Sequence, residues 1–150
     1  TEALSEGSLA AAGSLITRPE ILARALMSGG TDEQKAYWLP KIASGEVLPT
    51  AVFTEPDNGS DMASLSTRAV KTDKGWEITG TKNWITNGGK SSLHLVMAQS
   101  NRELQHRGIN TLIVEKSWPG VSIGAKEDKL GIRASDTHKQ QTRWSTVLRR

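Results

Sequence analysis

The chain of 150 residues contains no cysteine and few aromatic residues. The absence of cysteine excludes disulfide bonds, thiolate chemistry and zinc sites built on cysteine, and it fits a reducing compartment. Aromatic residues make up 5% of the chain, as five Trp, one Tyr and one Phe. Because a buried indole N–H needs a hydrogen-bond partner, we expect each Trp at a packed edge or at a binding site.

Long apolar runs are also lacking, since no stretch approaches the ~20 residues that a membrane span needs. The N-terminus has no basic region followed by an apolar stretch, so no signal peptide is predicted. The first residue is Thr1 and not Met, which suggests a piece of a longer protein. The sequence therefore predicts no membrane partner.

The net charge of +3 is concentrated at one end of the chain. Residues 139–150 contain four basic residues, Lys139, Arg143, Arg149 and Arg150, and no acid. The rest of the chain carries −1 (3 − 4), so the basic character is weak evidence for nucleic-acid binding. We predict no nucleic-acid partner. The three His residues have no metal-site spacing, and we predict no metal.

Residues 1–46 have the apolar spacing of helices. Thr31 and Gln34 form a capping-box pattern at the start of one helix, and Gly45 is expected to end it. Pro40 lies within that helix and is expected to break or bend it. The apolar stripes predict a helical segment that packs one face against a core.

From Glu46 onward the pattern changes to short strands separated by Gly and Asn turns. Strands are predicted over residues 47–53, 65–71, 76–79, 83–86, 93–98, 109–114 and 121–123. Residues 100–108, which include Arg102, His106 and Arg107, are predicted to form a polar loop. Strands at this spacing indicate an antiparallel barrel or sandwich. The fold class is thus α+β, with helices first and a β-barrel after them.

Residues 52–61 form a strand that ends at a proline and then turns through Asn58-Gly59 into Ser60. Pro56 forces Glu55 into an extended conformation. Positive φ values at Asn58 and Gly59 would place backbone N–H groups around a phosphate oxygen, with the Ser60 hydroxyl beside them. The alternative is an ordinary loop.

Residues 82–89, Lys-Asn-Trp-Ile-Thr-Asn-Gly-Gly, place Trp84 close to Thr86 near a strand end. A flat indole face beside a hydroxyl suits a planar heteroaromatic ring. The alternative is a Trp in the barrel core.

Together the two segments resemble the acyl-CoA dehydrogenase family. The quoted motifs are Thr54-Glu55-Pro56, Gly59-Ser60-Asp61 and Gly80-x-Lys82-x-Trp84-Ile85-Thr86-Asn87-Gly88. Residues 30–35 and 39–46 resemble the family's entry into its middle domain, and residues 129–137 resemble a later stretch. The similarity covers roughly residues 30–137.

The resemblance implies an N-terminal helical domain over residues 1–46 and a middle β-barrel that binds FAD and acyl-CoA over residues 47–137. The C-terminal helical bundle of the family is absent from this chain. The implied reaction is oxidation of an acyl-CoA thioester to the trans-2-enoyl-CoA. The residues that match cofactor contacts are Phe53 and Thr54 at the isoalloxazine ring, Gly59 and Ser60 at the pyrophosphate, Trp84 beside the ring, and Ile85 and Thr86, with Thr86 near flavin N5. Ser60 also matches a contact to the pantetheine of the substrate.

The family's catalytic base lies in the C-terminal bundle, and no acid here matches it, so no catalytic residue is predicted. Glu55 matches a structural position. The resemblance also implies an electron-transfer flavoprotein as electron acceptor, a homo-oligomeric full-length enzyme, and a location in the bacterial cytoplasm or mitochondrial matrix. The alternatives are an acyl-CoA oxidase or nitroalkane-oxidase-like flavoenzyme, and a non-catalytic binding module.

Residues 138–150 depart from the family pattern, since they contain no acid and show little periodicity. We interpret them as a change of reading frame or an artificial end, with a genuine basic tail as the alternative. The barrel is therefore expected to lack a strand, which would expose unpaired backbone groups and lower stability.

Overall fold

The computed structural model describes residues 2–17 and 19–144. Four helices come first: α1 Glu2–Gly7, α2 Leu9–Thr17, α3 Pro19–Gly29 and α4 Asp32–Ser44. Six strands follow: β1 Pro49–Val52, β2 Arg68–Thr72, β3 Gly75–Thr86, β4 Leu93–Gln99, β5 Ile109–Glu115 and β6 Thr137–Trp144. Two 3-10 segments, Met62–Ser64 and Arg102–Gly108, lie before β2 and β5. The predicted order of helices followed by strands is confirmed.

Helix α4 has the predicted ends. Thr31 accepts a hydrogen bond from the Gln34 backbone, and the Gln34 side chain accepts one from the Thr31 N–H. Gly45 ends the helix in the left-handed conformation, with φ 79°. The expected break at Pro40 does not occur, because α4 continues to Ser44. A proline inside a helix costs ~3 kcal/mol, and the packing of the last turn through buried Ile42 offsets that cost.

Strand β3 is longer than predicted. Two short strands were expected to be separated at Gly80, yet one strand runs from Gly75 to Thr86. Gly80 is needed for close approach and does not end the strand, since a Cβ there would lie 2.3 Å from Oγ1 of Thr67. Close approach of another backbone segment is a common reason for glycine inside a strand.

The six strands form one sheet in the order β1-β4-β2-β3-β6, with β5 also paired to β4. The β2–β3 and β4–β5 pairs are antiparallel, in line with the predicted antiparallel architecture, and β3 and β6 are also antiparallel. However, β1 and β2 both run parallel to β4, so the sheet is mixed. Within the described residues the sheet does not close on itself. Strand alternation predicts the elements but not which edge each one joins.

The structure differs most from the sequence-based prediction in the region after residue 115. Residues 121–123 were predicted to be a strand, but only residue 121 takes part in a bridge. The expectation that the barrel lacks a strand is wrong, because Thr137–Trp144 forms β6 and pairs with β3 from Thr86 to Ile78. Strand pairing here depends on backbone groups and needs no apolar alternation. The last part of the predicted basic tail, residues 145–150, lies outside the described residues, and the predicted domain boundaries remain predictions.

Two apolar clusters hold the chain together. The first lies within the sheet and is formed by Val52, Ala69, Ile78, Ile85, Val96, Ala98, Leu112 and Val114. The second joins helices to sheet through Leu22, Leu26, Ile42, Leu93 and Leu95. Strand β4 contributes to both, so it lies at the centre of the fold. Among the described residues no helix combines the length and apolar character required to cross a membrane.

Candidate functional site

The 52–61 and 82–89 segments lie in direct contact. The backbone N–H of Asn83 donates to the carbonyl of Thr54 at 2.8 Å. The ammonium of Lys82 donates to the carbonyl of Phe53 at 2.9 Å. The hydroxyl of Thr50, in β1, donates to the carbonyl of Thr86 at 2.5 Å. The end of β1 is therefore fastened along the last third of β3, as the two-segment hypothesis requires.

A buried ion pair lies behind this contact. Lys82 is fully buried, Glu55 is 4% exposed, and Nζ of Lys82 lies 2.9 Å from Oε1 of Glu55. The Glu55 carboxylate also accepts hydrogen bonds from the backbone N–H groups of Ser66 and Thr67. Buried charges of this kind are tolerated only when partners satisfy them. The pair thus fixes three separate stretches of chain around one carboxylate.

The environment of Glu55 decides its protonation. Burial by itself raises the pKa of this carboxyl, but hydrogen bonds from Thr67, from the Ser66 N–H and from the Lys82 ammonium outweigh it and lower the pKa to about 2. Burial lowers the pKa of Lys82, although Glu55 acts in the opposite direction. A carboxylate so strongly held in its ionised form is a poor proton acceptor near neutral pH. This agrees with a structural role for Glu55.

Trp84 lies on an irregular part of β3. The register between β3 and β6 shifts between Lys82 and Ile85, and Trp84 has φ 57°. A bulky residue with positive φ is uncommon and is held in place only by its surroundings. Here buried neighbours lie on both sides, and the Trp84 side chain is 55% exposed. The bulge presents the indole outward, which contradicts the alternative of a core Trp.

Ile85 and Thr86 differ in their surroundings. Ile85 is 2% exposed and belongs to the apolar cluster inside the sheet. Its side chain therefore faces the core, and only its backbone is available at the site. Thr86 is half-buried at the end of β3. Asn87 follows with φ 60° and begins the turn to β4.

The loop after Glu55 is not the phosphate nest that the sequence predicted. Neither Asn58 nor Gly59 has a positive φ. The loop is closed by a hydrogen bond from the Glu55 N–H to the carbonyl of Asn58 at 2.9 Å, so the extended conformation before Pro56 is followed by an ordinary turn. Gly59 and Ser60 are exposed, and a Cβ at Gly59 would meet nothing within 4 Å.

The predicted cofactor residues thus fall into two groups. Phe53, Thr54, Trp84, Ile85 and Thr86 lie at the joined ends of β1 and β3. Phe53 packs partly against the cluster that joins helices to sheet, and Thr54 is half-buried. Gly59 and Ser60 lie on the exposed loop beyond them.

A cavity of about 340 Å³ lies beyond that loop, between the two 3-10 segments. Its lining residues are Ala63, Ser64, Leu65, Gln99, Arg102, Gln105 and His106. Arg102 and His106 belong to the stretch that the sequence predicted to be a polar loop. The cavity is open to solvent on one side and carries basic side chains.

Lys82 is the residue whose importance sequence reasoning missed. It was quoted within a motif but given no role. The signal appears only once β3 is one continuous strand, in which Ile78, Gly80 and Lys82 alternate and share one face. Ile78 and Lys82 are both fully buried on that face. A lysine in phase with core residues needs a buried carboxylate partner.

Comparisons with known proteins agree with this arrangement. Residues 50–143 match the family model "Acyl-CoA dehydrogenase, middle domain", and residues 1–46 match "Acyl-CoA dehydrogenase, N-terminal domain". The (2S)-methylsuccinyl-CoA dehydrogenase of Cereibacter sphaeroides is 50% identical over 117 residues, which are 77% of this chain and 21% of that protein.

Solved structures give the same result. Butyryl-CoA dehydrogenase from Megasphaera elsdenii matches with a TM-score of 0.85 and 32% identity, over 89% of this chain and 35% of that one. An acyl-CoA dehydrogenase from Bacillus anthracis, described as complexed with FAD, matches with a TM-score of 0.68 and 34% identity, over 75% and 19%. The chain therefore spans between about a fifth and a third of the length of these relatives.

Proposed function

This chain belongs to the acyl-CoA dehydrogenase family, and on that premise we propose that it forms one face of an FAD site in an enzyme that oxidises acyl-CoA thioesters to trans-2-enoyl-CoA. The observation that carries the proposal is the junction of β1 and β3. There the exposed indole of Trp84 lies beside chain ends that a buried ion pair holds in place.

The residues present fit a flavin. Trp84 offers an exposed aromatic face, and a planar ring system stacks well on such a face. Thr86 lies two residues further along β3, and the carbonyl of Thr54 accepts a hydrogen bond from Asn83, the residue before Trp84. Both threonines are half-buried. We assign Phe53, Thr54, Trp84, Thr86 and the backbone of Ile85 to the flavin ring. Gly59 and Ser60 are assigned to its diphosphate.

The division of labour follows from the chemistry. Bound FAD supplies the two-electron redox chemistry, and the protein binds and orients it. In this chain Lys82 binds both the Glu55 carboxylate and the carbonyl of Phe53, which holds the backbone on both sides of Thr54 in place. Glu55 accepts three hydrogen bonds and has a pKa of about 2, so we do not assign it as the base. The base that removes the α-proton is assigned to a part of the enzyme outside this chain.

We assign the CoA portion of the substrate to the exposed loop and the cavity beyond it. Ser60 supplies a hydroxyl, and Arg102 and His106 line the cavity. Cationic side chains and hydroxyls are the groups that bind phosphate esters. The electrons are proposed to pass to an electron-transfer flavoprotein, and the full-length enzyme is proposed to be a homo-oligomer of the bacterial cytoplasm or mitochondrial matrix.

FAD binding tests the proposal first. The purified chain is titrated with FAD, and quenching of flavin fluorescence is followed. Wild type is expected to bind, and Trp84→Ala is expected to weaken binding about 3- to 10-fold, since an aromatic stack contributes about 0.5–1.5 kcal/mol. Tyr37→Ala removes an exposed aromatic on α4 and serves as the matched control. Equal binding by Trp84→Ala and wild type would contradict the assignment.

The reaction is tested in a hybrid enzyme. The matching segment of the Cereibacter relative is replaced by this chain's residues, so that a complete enzyme surrounds them. The hybrid is expected to oxidise acyl-CoA thioesters with an electron-transfer flavoprotein or an artificial acceptor. Turnover with O2 alone would favour the oxidase alternative, and a hybrid that folds but binds no FAD would favour the non-catalytic module.

A further inference from the structure

The turn that follows Thr86 rests on a pair of residues from the start of β6. The backbone N–H of Asn87 donates to the carbonyl of Asp136 at 2.5 Å. Thr86 pairs with Thr137, and Ile85 pairs with His138. The end of β3 is therefore paired in the sheet with β6 over these residues, while β1 contacts it through the hydroxyl of Thr50.

The two glycines of this turn leave room for His138. A Cβ at Gly88 would lie 3.2 Å from Cβ of His138, and a Cβ at Gly89 would lie 2.6 Å from Nε2 of the same ring. The imidazole thus lies directly against residues 88–89. Any larger side chain at either position would have to displace it.

The His138 ring is bound at both nitrogens. Nε2 lies 2.9 Å from Oδ1 of Asp136, and Nδ1 lies 3.0 Å from the carbonyl oxygen of Gly124. The Asp136 side chain is 8% exposed and the His138 side chain is 15% exposed. One imidazole therefore links the turn, β6 and the 124–126 stretch.

Charged and polar groups surround the His138 ring. Besides Asp136, four charged residues lie on the surrounding segments. The ammonium of Lys116 donates to the carbonyl of Gly89 at 2.7 Å, and the ammonium of Lys129 donates to Ser135 and Thr137. Lys126 pairs with His138 across a β-bridge, and the backbone N–H of Glu127 donates to Thr137.

We propose that His138, held by Asp136 and by the carbonyl of Gly124, is a positioning residue for the flavin-facing end of β3: it holds the 87–89 turn and thereby the conformation of Trp84 and Thr86. The proposal rests on the flavin site proposed above. Loss of the ring leaves the turn without this support. Flavin affinity then depends on a residue that does not touch the flavin.

Hydrogen exchange without flavin tests whether His138 holds the 87–89 turn. Amide exchange of the peptide that covers residues 84–92 is measured at one pH in wild type, His138→Gln and Asp136→Asn. Both variants are expected to exchange at least 10-fold faster there, because His138→Gln removes the ring and Asp136→Asn removes the carboxylate that holds it. Glu77→Gln removes an exposed charge from the other end of β3 and is expected to behave as wild type. Unchanged exchange in His138→Gln would overturn the proposal.

Flavin affinity at one pH tests the link between the turn and the flavin site. The dissociation constant of His138→Gln is expected to be at least 3-fold higher than that of wild type, while Glu77→Gln is expected to bind as wild type does. Equal affinities of His138→Gln and wild type would overturn the proposal. If wild type bound no FAD, the proposed function would fail, while hydrogen exchange would still decide whether His138 holds the turn.

Discussion

The two sides of the candidate site are built in different ways. The β3 side, residues 80–89, is held by a fully buried lysine, a bulge and a turn packed on His138. The loop side, residues 56–61, is largely exposed, and Gly59 has open space around it. The comparison indicates that the shape of the ring-facing part is fixed before any ligand arrives. The loop side has fewer constraints and is able to adjust to a ligand.

The largest expected effect comes from breaking the ion pair on the rigid side. Lys82→Met leaves the Glu55 carboxylate buried without its cation, and removing one partner of a buried pair costs about 3–5 kcal/mol. The free energy of unfolding, measured with urea, is expected to fall by that amount. Arg24→Met, which removes an exposed ion pair to Glu20, is the control and is expected to cost less than ~0.5 kcal/mol.

A double substitution sharpens this result. Glu55→Gln with Lys82→Met removes both charges and is expected to recover part of the loss, because no uncompensated charge remains. A double variant as unstable as the sum of the two single variants would show that the two residues act independently. The buried pair would then not be the element that makes the β3 side rigid.

A matched pair of glycine substitutions compares the two sides directly. Gly80→Ala places a Cβ 2.3 Å from Oγ1 of Thr67, and overpacking of this kind costs about 1–3 kcal/mol. Gly59→Ala meets nothing within 4 Å and is expected to change stability by less than ~0.5 kcal/mol. Urea unfolding measures both. Equal costs at the two positions would contradict the difference between the sides.

Acid titration gives a smaller effect of defined sign. The pKa of Glu55 is lowered from 4.5 to about 2, so the folded protein holds this carboxylate ionised where the unfolded chain protonates it. Its contribution to stability is fully present above about pH 4.5 and is lost as the pH falls towards about 2. Between these values, stability is expected to change less steeply with pH in Glu55→Gln than in wild type. Identical slopes would contradict the assigned pKa.

Trp84 is expected to contribute little to stability on the rigid side. Glycine accepts positive φ without strain, and the indole is more than half exposed. Trp84→Gly is therefore expected to change the free energy of unfolding by less than ~1 kcal/mol, while weakening FAD binding as Trp84→Ala does. A large loss of stability would show that the indole is a packing residue.

Local signals made parts of the fold predictable. The capping box at Thr31 and the left-handed end at Gly45 depend on neighbouring residues alone. Strands β4 and β5 follow from their alternation and apolar content. The pairing of β6 was missed because residues 138–144 lack apolar alternation, and their strand depends on a partner distant in the chain.

The candidate site was also predictable only in part. The motifs identified both segments and the family, because residue types in a fixed order are visible in sequence. The nest at Asn58-Gly59 was wrong, because glycine permits positive φ without requiring it. Neither Ile85 facing the core nor His138 beneath the turn has a local signature, since both depend on strand register.

The sequence by itself determined the family, the order of helices and strands, the caps of α4 and the residues that carry the motifs. Only the tertiary structure decided that β1 and β2 run parallel to β4, that Lys82 is buried against Glu55, and that the bulge exposes Trp84. The physical reason is the distance along the chain between the residues that interact. Caps and turns are set by a few adjacent residues, whereas burial, pairing and register depend on which distant segments meet and on the free energy of all their contacts together.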